Sequence, residues 1–196
     1  MSASAKQAVS HDVGERISWT LRPIVSKKLE NWQQKRGNMK DVCQTCHGRQ
    51  FVDGHYYQYD ATVTLYNEKF AKPALDIINL IKEKKLLENS ASFSNKIEWT
   101  FWELWHHEGR RARHGAAMMA PDFTWWHGIY EVAQHFYFKF LPEALEYDDA
   151  DVNKYIEEML ANDPMHSWLN GSTADLKEKI NSGEMQAIYK NMFPQE

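Results

Sequence analysis

Cys43, Cys46 and His47 belong to the pentapeptide Cys43-Gln44-Thr45-Cys46-His47, which has the pattern C-x-x-C-H. Two thiols three residues apart on a turn of helix can each add to one vinyl group of the same porphyrin, and the adjacent imidazole then falls over the iron as its axial ligand. A zinc site would need a second pair of ligands, but the sequence has no other cysteine. A thioredoxin-type redox pair would need a βαβ context, which is missing. The motif therefore predicts one covalently attached haem c.

The sequence also has more histidines than one haem can use. A six-coordinate iron needs a second ligand, and the candidates are His11, His55, His106, His107, His114, His127 and His135. Either most of these are structural, or the chain supplies ligands to haems bound elsewhere. We expect His55 and His166 to be ordinary hydrogen-bonded histidines. The predicted iron ligands are His47, His11, His106, His107, His114 and His127.

The segment from His106 to His114 concentrates three imidazoles, three guanidiniums and one carboxylate. His107 and His114 are seven residues apart and therefore share a helix face, while His106 and Arg110 share another. The planar guanidinium matches a carboxylate, so Arg110 and Arg113 are predicted to bind haem propionates. The alternative is a solvated charged helix, but the preceding stretch, residues 99–105, is too aromatic to lie in water.

Composition limits the function classes further. The chain has 196 residues and a net charge of -4, which gives no support to nucleic-acid binding. No apolar run approaches the roughly 18 residues of a membrane-spanning helix. The aromatic fraction of 13% suggests a large planar cofactor or an extensive interface. A signal peptide is not visible at residues 1–7, although covalent haem attachment demands an exported protein.

The periodicity predicts an all-α chain with long helices after the haem motif. Residues 1–147 are predicted to form the haem-binding helical region, and residues 148–196 a short helical extension. The first expected helix is 12–32, and Gly37-Asn38 break the helical pattern before the cysteine motif. The other expected helices are 56–88 with a kink at Pro73, 95–119 capped by Ser94, 124–146, 148–160, 173–180 and 183–191.

Long strings of this sequence resemble the C-terminal half of hydroxylamine oxidoreductase. They are residues 11–16, 42–48, 105–113, 118–122 and 125–131. The related hydrazine dehydrogenases share this architecture. The resemblance covers most of residues 8–145, and it implies a multihaem cytochrome c type of fold.

The resemblance implies an exported octahaem c-type cytochrome that assembles as a homotrimer. Members oxidise hydroxylamine or hydrazine and pass electrons along covalently bound haems to a cytochrome or a quinone-linked acceptor. The compartment would be the periplasm or an equivalent, anammoxosome-like one in some relatives. Cys43, Cys46 and His47 match the last haem motif in the family's chain order, and His11 and the histidines of residues 106–127 match haem-contacting positions.

In the oxidising members, a tyrosine from a neighbouring subunit is cross-linked to the catalytic haem. Tyr130, one turn after His127, is the first candidate for that residue, and Tyr137 is a weaker one. Position 123 holds Phe123 where the family motif leads us to expect tyrosine, so a cross-link at that position is not available to this chain. Asp122 and His127 are the candidate proton acceptors.

Family members are much longer than this sequence. A full member carries eight C-x-x-C-H motifs, whereas this sequence has one. We therefore expect the sequence to be the C-terminal part of a longer protein, with the export signal and the other haems upstream, and not to be catalytically competent alone. The alternatives are a free-standing monohaem electron-transfer cytochrome and a module whose aromatic residues bury neighbouring haems or surfaces.

Overall fold

The structure is a computed structural model that describes residues 24–192. These residues form helices and turns without a β-strand, so the all-α prediction is confirmed. The α-helices are α1 (Trp32–Gln44), α2 (Arg49–Tyr66), α3 (Lys72–Glu83), α4 (Lys96–Trp102), α5 (Gly109–Ala117), α6 (Glu131–His135), α7 (Leu141–Leu145), α8 (Ala150–Asn162), α9 (Thr173–Asn181) and α10 (Glu184–Met192).

Four π-helical segments join several of these helices into longer rods. They lie at Asn67–Ala71, Glu103–Glu108, Asp122–Tyr130 and Phe136–Phe140, so the helical path is unbroken over 49–83, 96–117 and 122–145. A π turn is wider than an α turn, and such turns are frequent at functional sites. Two of them, Glu103–Glu108 and Asp122–Tyr130, carry the histidines singled out in the sequence.

The rods pack around one large hydrophobic core. Ile77 and Ile81 of α3, together with Phe136 and Phe140, lie in it with almost no exposure. A second, smaller cluster contains Val52, Tyr56, Tyr59 and Val63 from one face of α2, with Met39 and Cys43 packed against it. The small cluster therefore connects the C-x-x-C-H motif to the rest of the fold.

Helix α8 also contributes to the large core, through Val152 and Ile156. It begins at an aspartate as expected, since the Asp149 carboxylate accepts from the backbone N–H groups of Asp151 and Val152. Helix α9 buries none of its residues, so it lies at the periphery. Among the described helices, none combines the length and apolar character needed to cross a bilayer.

The structure corrects three of the expected helix boundaries. The first described helix occupies residues 32–44, and Gly37 and Asn38 lie inside it rather than breaking it. The helix after the motif begins at Arg49, seven residues before the predicted start. Asn95, not Ser94, caps the next helix, because its side chain and that of Glu98 form a reciprocal capping box.

The predicted kink at Pro73 coincides with a local change of helix type. Pro73 is the second residue of α3, and α3 directly follows the π segment Asn67–Ala71. Proline lacks an N–H group and so cannot complete an α-helical hydrogen bond. Of the helix predicted for residues 12–32, the part up to residue 23 lies outside the described residues, and the remainder forms no helix before Trp32.

Candidate cofactor site

The C-x-x-C-H motif, residues 43–47, spans the end of α1. Cys43 lies in the last turn of the helix, and the chain then turns back, with the N–H groups of Cys46 and His47 donating to the Cys43 carbonyl at 3.2 and 3.0 Å. Both thiols are free. Cys43 is half-buried against the small cluster, whereas Cys46 is exposed. The small cluster therefore anchors one thiol, while the other faces solvent.

The His47 imidazole is exposed and stacks on Phe51, with 4.9 Å between the ring centroids. Phe51 lies on the first turn of α2, which places it one turn after the motif. It also lines a cleft of about 410 Å³, within the range typical of small-molecule and cofactor sites. The side chains lining the cleft are mixed, and they include His55, Tyr59, Met119 and Trp125.

These residues fit a covalent haem. The two thiols are unpaired at the required spacing, the imidazole next to them is accessible, and the neighbouring cleft offers aromatic and apolar surface. Within residues 24–192, no group of three or more His, Cys, Asp or Glu side chains is arranged to hold a metal ion.

A second, larger groove of about 650 Å³ follows the rod 96–117. It is lined by His106, His107, Arg110, Arg111, His114, Gly115, Met118, Ala120 and Phe123. The structure thus brings three predicted iron ligands and one predicted propionate ligand to one groove. Alpha-helical spacing predicts that His106 and His107 lie on different helix faces. Both residues lie in the π segment Glu103–Glu108, and both line this groove.

The His106 ring is held in place from two sides. It stacks on Trp102, with 4.3 Å between centroids and 14° between the planes, and its Nε2 lies 3.4 Å from Arg110 Nη1. Burial, together with the charges of Arg110 and His107, lowers the pKa of His106. The ring is therefore kept neutral at physiological pH, which is the form that binds metals.

Arg113 does not lie in the groove. Its side chain is fully buried, and it donates to the Gly109 carbonyl at 2.9 Å, to Ser26 Oγ at 2.5 Å and to the Trp105 carbonyl at 3.2 Å. Its guanidinium also lies over the Tyr66 ring, 4.4 Å from the centroid. These contacts give Arg113 a structural role in joining three segments, and they disfavour the predicted contact with a propionate.

His127 lies between two carboxylates. Its Nδ1 is 3.1 Å from Glu131 Oε1, and its Nε2 is 3.6 Å from Asp122 Oδ2. Glu131 also accepts from Arg111 at 2.6 Å. The predicted pair of Asp122 and His127 is therefore brought together, and Glu131 and Arg111 extend it toward the groove. Sequence reasoning missed Glu131, although its position four residues after His127 was an available signal.

The two tyrosine candidates differ sharply in environment. Tyr130 is half exposed and stacks on Trp126 at 4.8 Å, with nearly parallel rings. Tyr137 lies in the large core, where its hydroxyl is 2.7 Å from Nδ1 of His166. Tyr130 is thus the more accessible of the two to a group outside this chain. Phe123 is also half exposed and lines the groove, but it has no hydroxyl.

The remaining histidines are distributed as follows. His166 is fully buried and hydrogen-bonded, as expected for a structural histidine. His135 Nδ1 lies 3.2 Å from the buried carboxylate of Glu108. His55, expected to be structural, lines the smaller cleft, and burial lowers its pKa. His11 lies outside the described residues.

Close contact between two helical segments shapes the groove. A Cβ atom on Gly115 would lie 2.6 Å from the backbone nitrogen of Thr124, and one on Gly128 would lie 2.6 Å from the Cα atom of Ala112. Only glycine permits this approach, so α5 and the segment Asp122–Tyr130 lie in backbone contact. This contact brings Phe123 to the groove that His114 and Met118 also line.

No family model, curated protein or solved structure matches this chain. The class of protein is therefore defined by its own features. It is an all-α fold with an accessible C-x-x-C-H motif beside a cleft, and with a groove rich in histidine and arginine.

Proposed function

We propose that this chain carries one haem c, attached through Cys43 and Cys46 with His47 as its axial ligand. The observation that carries the proposal is the set of two free thiols and one exposed imidazole on a single turn, next to an aromatic cleft. When bound, the haem supplies one-electron redox chemistry at its iron. The Phe51 ring, already stacked on His47, would orient the imidazole.

The chain is further proposed to be the C-terminal part of a multihaem cytochrome c oxidoreductase of the hydroxylamine oxidoreductase type. The groove supports this part of the proposal, because His106, His107 and His114 line it and exceed the needs of one haem. Arg110, at the same groove, is suited to a propionate carboxylate. Haems attached elsewhere in the whole protein would dock here.

The whole protein is proposed to oxidise hydroxylamine or hydrazine in an exported compartment, as a homotrimer, and to pass electrons to a cytochrome or a quinone-linked acceptor. The contribution of this chain would be proton acceptance at His127. Its two ring nitrogens face Asp122 and Glu131, so a proton taken up at Nε2 is compensated by carboxylates on both sides. Tyr130, half exposed nearby in sequence, is the candidate for a cross-link to a neighbouring subunit's haem.

A second candidate function is that of a monohaem electron-transfer cytochrome. The exposure of Cys46 and His47 favours it, because an exposed haem edge is suited to electron exchange with a partner. In that case a single histidine would complete the coordination of the iron, and no substrate would be oxidised.

The attachment of haem is tested by producing the chain, fused to an export signal, in a bacterial host with a periplasmic cytochrome c maturation system. We expect the purified protein to be coloured, to gain the mass of one haem and to give the pyridine haemochrome spectrum of a c-type haem. Replacing both Cys43 and Cys46 by serine should abolish all three signals. Gln44→Ala, inside the same motif but without a ligand role, is the matched control and should retain them. A colourless wild-type protein of unmodified mass would refute the proposal.

The two candidate functions are separated by protein purified from cells that produce it naturally. The oxidoreductase proposal predicts several haems on the polypeptide that contains this sequence, together with turnover of hydroxylamine or hydrazine in the presence of an electron acceptor. The monohaem alternative predicts one haem, a low-spin six-coordinate spectrum and no turnover.

A further inference from the structure

Tyr137 and His166 form a buried polar pair that the proposed haem chemistry does not use. Tyr137 lies in the π segment Phe136–Phe140, and His166 immediately precedes the short 3-10 helix Ser167–Asn170. The phenol oxygen is 2.7 Å from Nδ1 of the imidazole. The Tyr137 residue is 9% exposed and His166 is 0% exposed, so water does not separate or screen the two groups.

The phenol donates and the imidazole accepts in this hydrogen bond when His166 carries its proton on Nε2. Burial raises the pKa of Tyr137 to about 12 and lowers the pKa of His166, so both groups are neutral at physiological pH. A neutral phenol carries its proton, and in the tautomer protonated at Nε2 the lone pair of Nδ1 faces it. The bond therefore has the geometry needed for a proton to move from oxygen to nitrogen.

Two charged groups close to Tyr137 and His166, Lys69 and Asp163, form an ion pair with each other. Lys69 Nζ donates to Asp163 Oδ2 at 2.5 Å, at the edge of the same region. The Asp163 carboxylate raises the pKa of His166, and the Lys69 ammonium opposes it, while burial has the largest effect. A positive charge placed on His166 would consequently meet a carboxylate close by.

Aromatic rings connect the pair to the surface. Phe70 and Phe136 contact the Tyr137 ring edge-to-face, with centroids 6.0 and 5.3 Å away. Trp168 contacts it from the other side at 5.4 Å and is 44% exposed. The phenol is thus shielded from solvent, but the Trp168 ring that contacts it is partly exposed at the surface.

We propose that Tyr137 is a redox-active tyrosine whose proton is held by His166 and whose electron leaves through Trp168. When a one-electron outer-sphere oxidant takes an electron, the phenol O–H bond breaks and an N–H bond forms at Nδ1 of His166. The products are a neutral tyrosyl radical, an imidazolium and the reduced oxidant. A one-electron reductant reverses the reaction, and the proton returns to the phenol oxygen. This site is independent of the proposed haem, because the oxidant acts from the surface.

The proposal is tested by flash photolysis of the full chain with a ruthenium polypyridyl complex and an irreversible electron acceptor. Transient absorption and freeze-quenched electron paramagnetic resonance then record tyrosyl radicals. Tyr137→Phe removes one hydroxyl and keeps the ring, while Tyr155→Phe is the matched control, because the Tyr155 hydroxyl donates to Asp76 at the exposed side of α8. Signals from the remaining tyrosines, tryptophans and thiols are common to all samples and cancel in the comparison.

We expect Tyr137→Phe to lose most of the long-lived tyrosyl signal and Tyr155→Phe to retain it. His166→Gln should shorten the radical lifetime, because no base then holds the proton, and Trp168→Phe should slow its formation. Circular dichroism of each variant checks that the fold is kept. If a variant at position 166 unfolds, the solvent deuterium isotope effect on radical formation in the wild-type protein tests the coupled proton transfer directly. An unchanged signal in Tyr137→Phe, or the absence of an isotope effect, overturns the proposal.

Discussion

Replacing Gly128 by alanine should destabilise the fold by about 2 kcal/mol, because two backbone segments touch at this residue. An added Cβ would lie 2.6 Å from the Cα atom of Ala112 and 2.6 Å from the Phe123 carbonyl oxygen. Both atoms belong to the backbone. The Phe123 oxygen lies in the same π segment as Gly128, whereas Ala112 lies on α5, so relief of the Ala112 contact requires the two helical segments to separate. Overpacking of this kind costs about 1–3 kcal/mol, and the gain in helix propensity from glycine to alanine returns about 1 kcal/mol. Since rigid backbone lies on both sides, the cost is taken from the upper end of its range.

The matched control is Gly37→Ala. Gly37 lies inside α1, is exposed, and has no atom within 4 Å of the position its Cβ would occupy. The substitution should therefore stabilise the protein by about 1 kcal/mol, through helix propensity alone. Urea denaturation followed by far-ultraviolet circular dichroism measures both variants, and similar slopes would show that the denatured states are comparable. A Gly128→Ala protein as stable as the wild type would refute the close contact between α5 and the segment Asp122–Tyr130.

Three further predictions concern buried polar groups. Arg113→Met should destabilise the protein by about 3 kcal/mol, because it leaves Ser26 Oγ and two carbonyl oxygens without their donor. Arg110→Met, at the groove, is the control and should cost less than about 1 kcal/mol. Urea titrations compare the free energies of unfolding of the two variants. Asn67→Ala should cost about 2 kcal/mol by the same assay, because the Asn67 amide both accepts from the Ser26 N–H and donates to the Ser26 carbonyl. Burial lowers the pKa of His166 below its ordinary 6.5, so the unfolded chain binds a proton first on acidification. Stability should therefore fall as the pH drops below 6.5, and urea midpoints across this range should depend less on pH in His166→Gln.

Much of the helical organisation could be predicted from sequence. The helices near Asn95, Asp149 and Thr173 begin within one or two residues of the predicted positions, because polar capping residues mark their starts. The position of α1 was wrong because Gly37 was taken as a helix breaker. A single glycine in a helix costs only about 1 kcal/mol, and packing of Met39 and Cys43 against the small cluster offsets that cost.

The candidate site was predicted in part. The sequence placed His106, His107 and His114 in one cluster, and the structure brings them to one groove. It also paired Arg113 with Arg110, although only Arg110 lines the groove. Local spacing does not distinguish an arginine that faces the core from one that faces a groove, because the π segment before α5 changes which residues share a face.

The sequence by itself determined the helical class and is the source of the chemistry proposed for the motif, because both depend on residues close together in the chain. Capping, apolar periodicity and the spacing of two thiols and an imidazole are local properties. The tertiary structure alone decided that Arg113 is enclosed, that Tyr137 meets His166 across 29 residues, and that α5 touches the following segment at Gly128. These contacts depend on the packing of distant segments against one another, which the local spacing of residues does not encode.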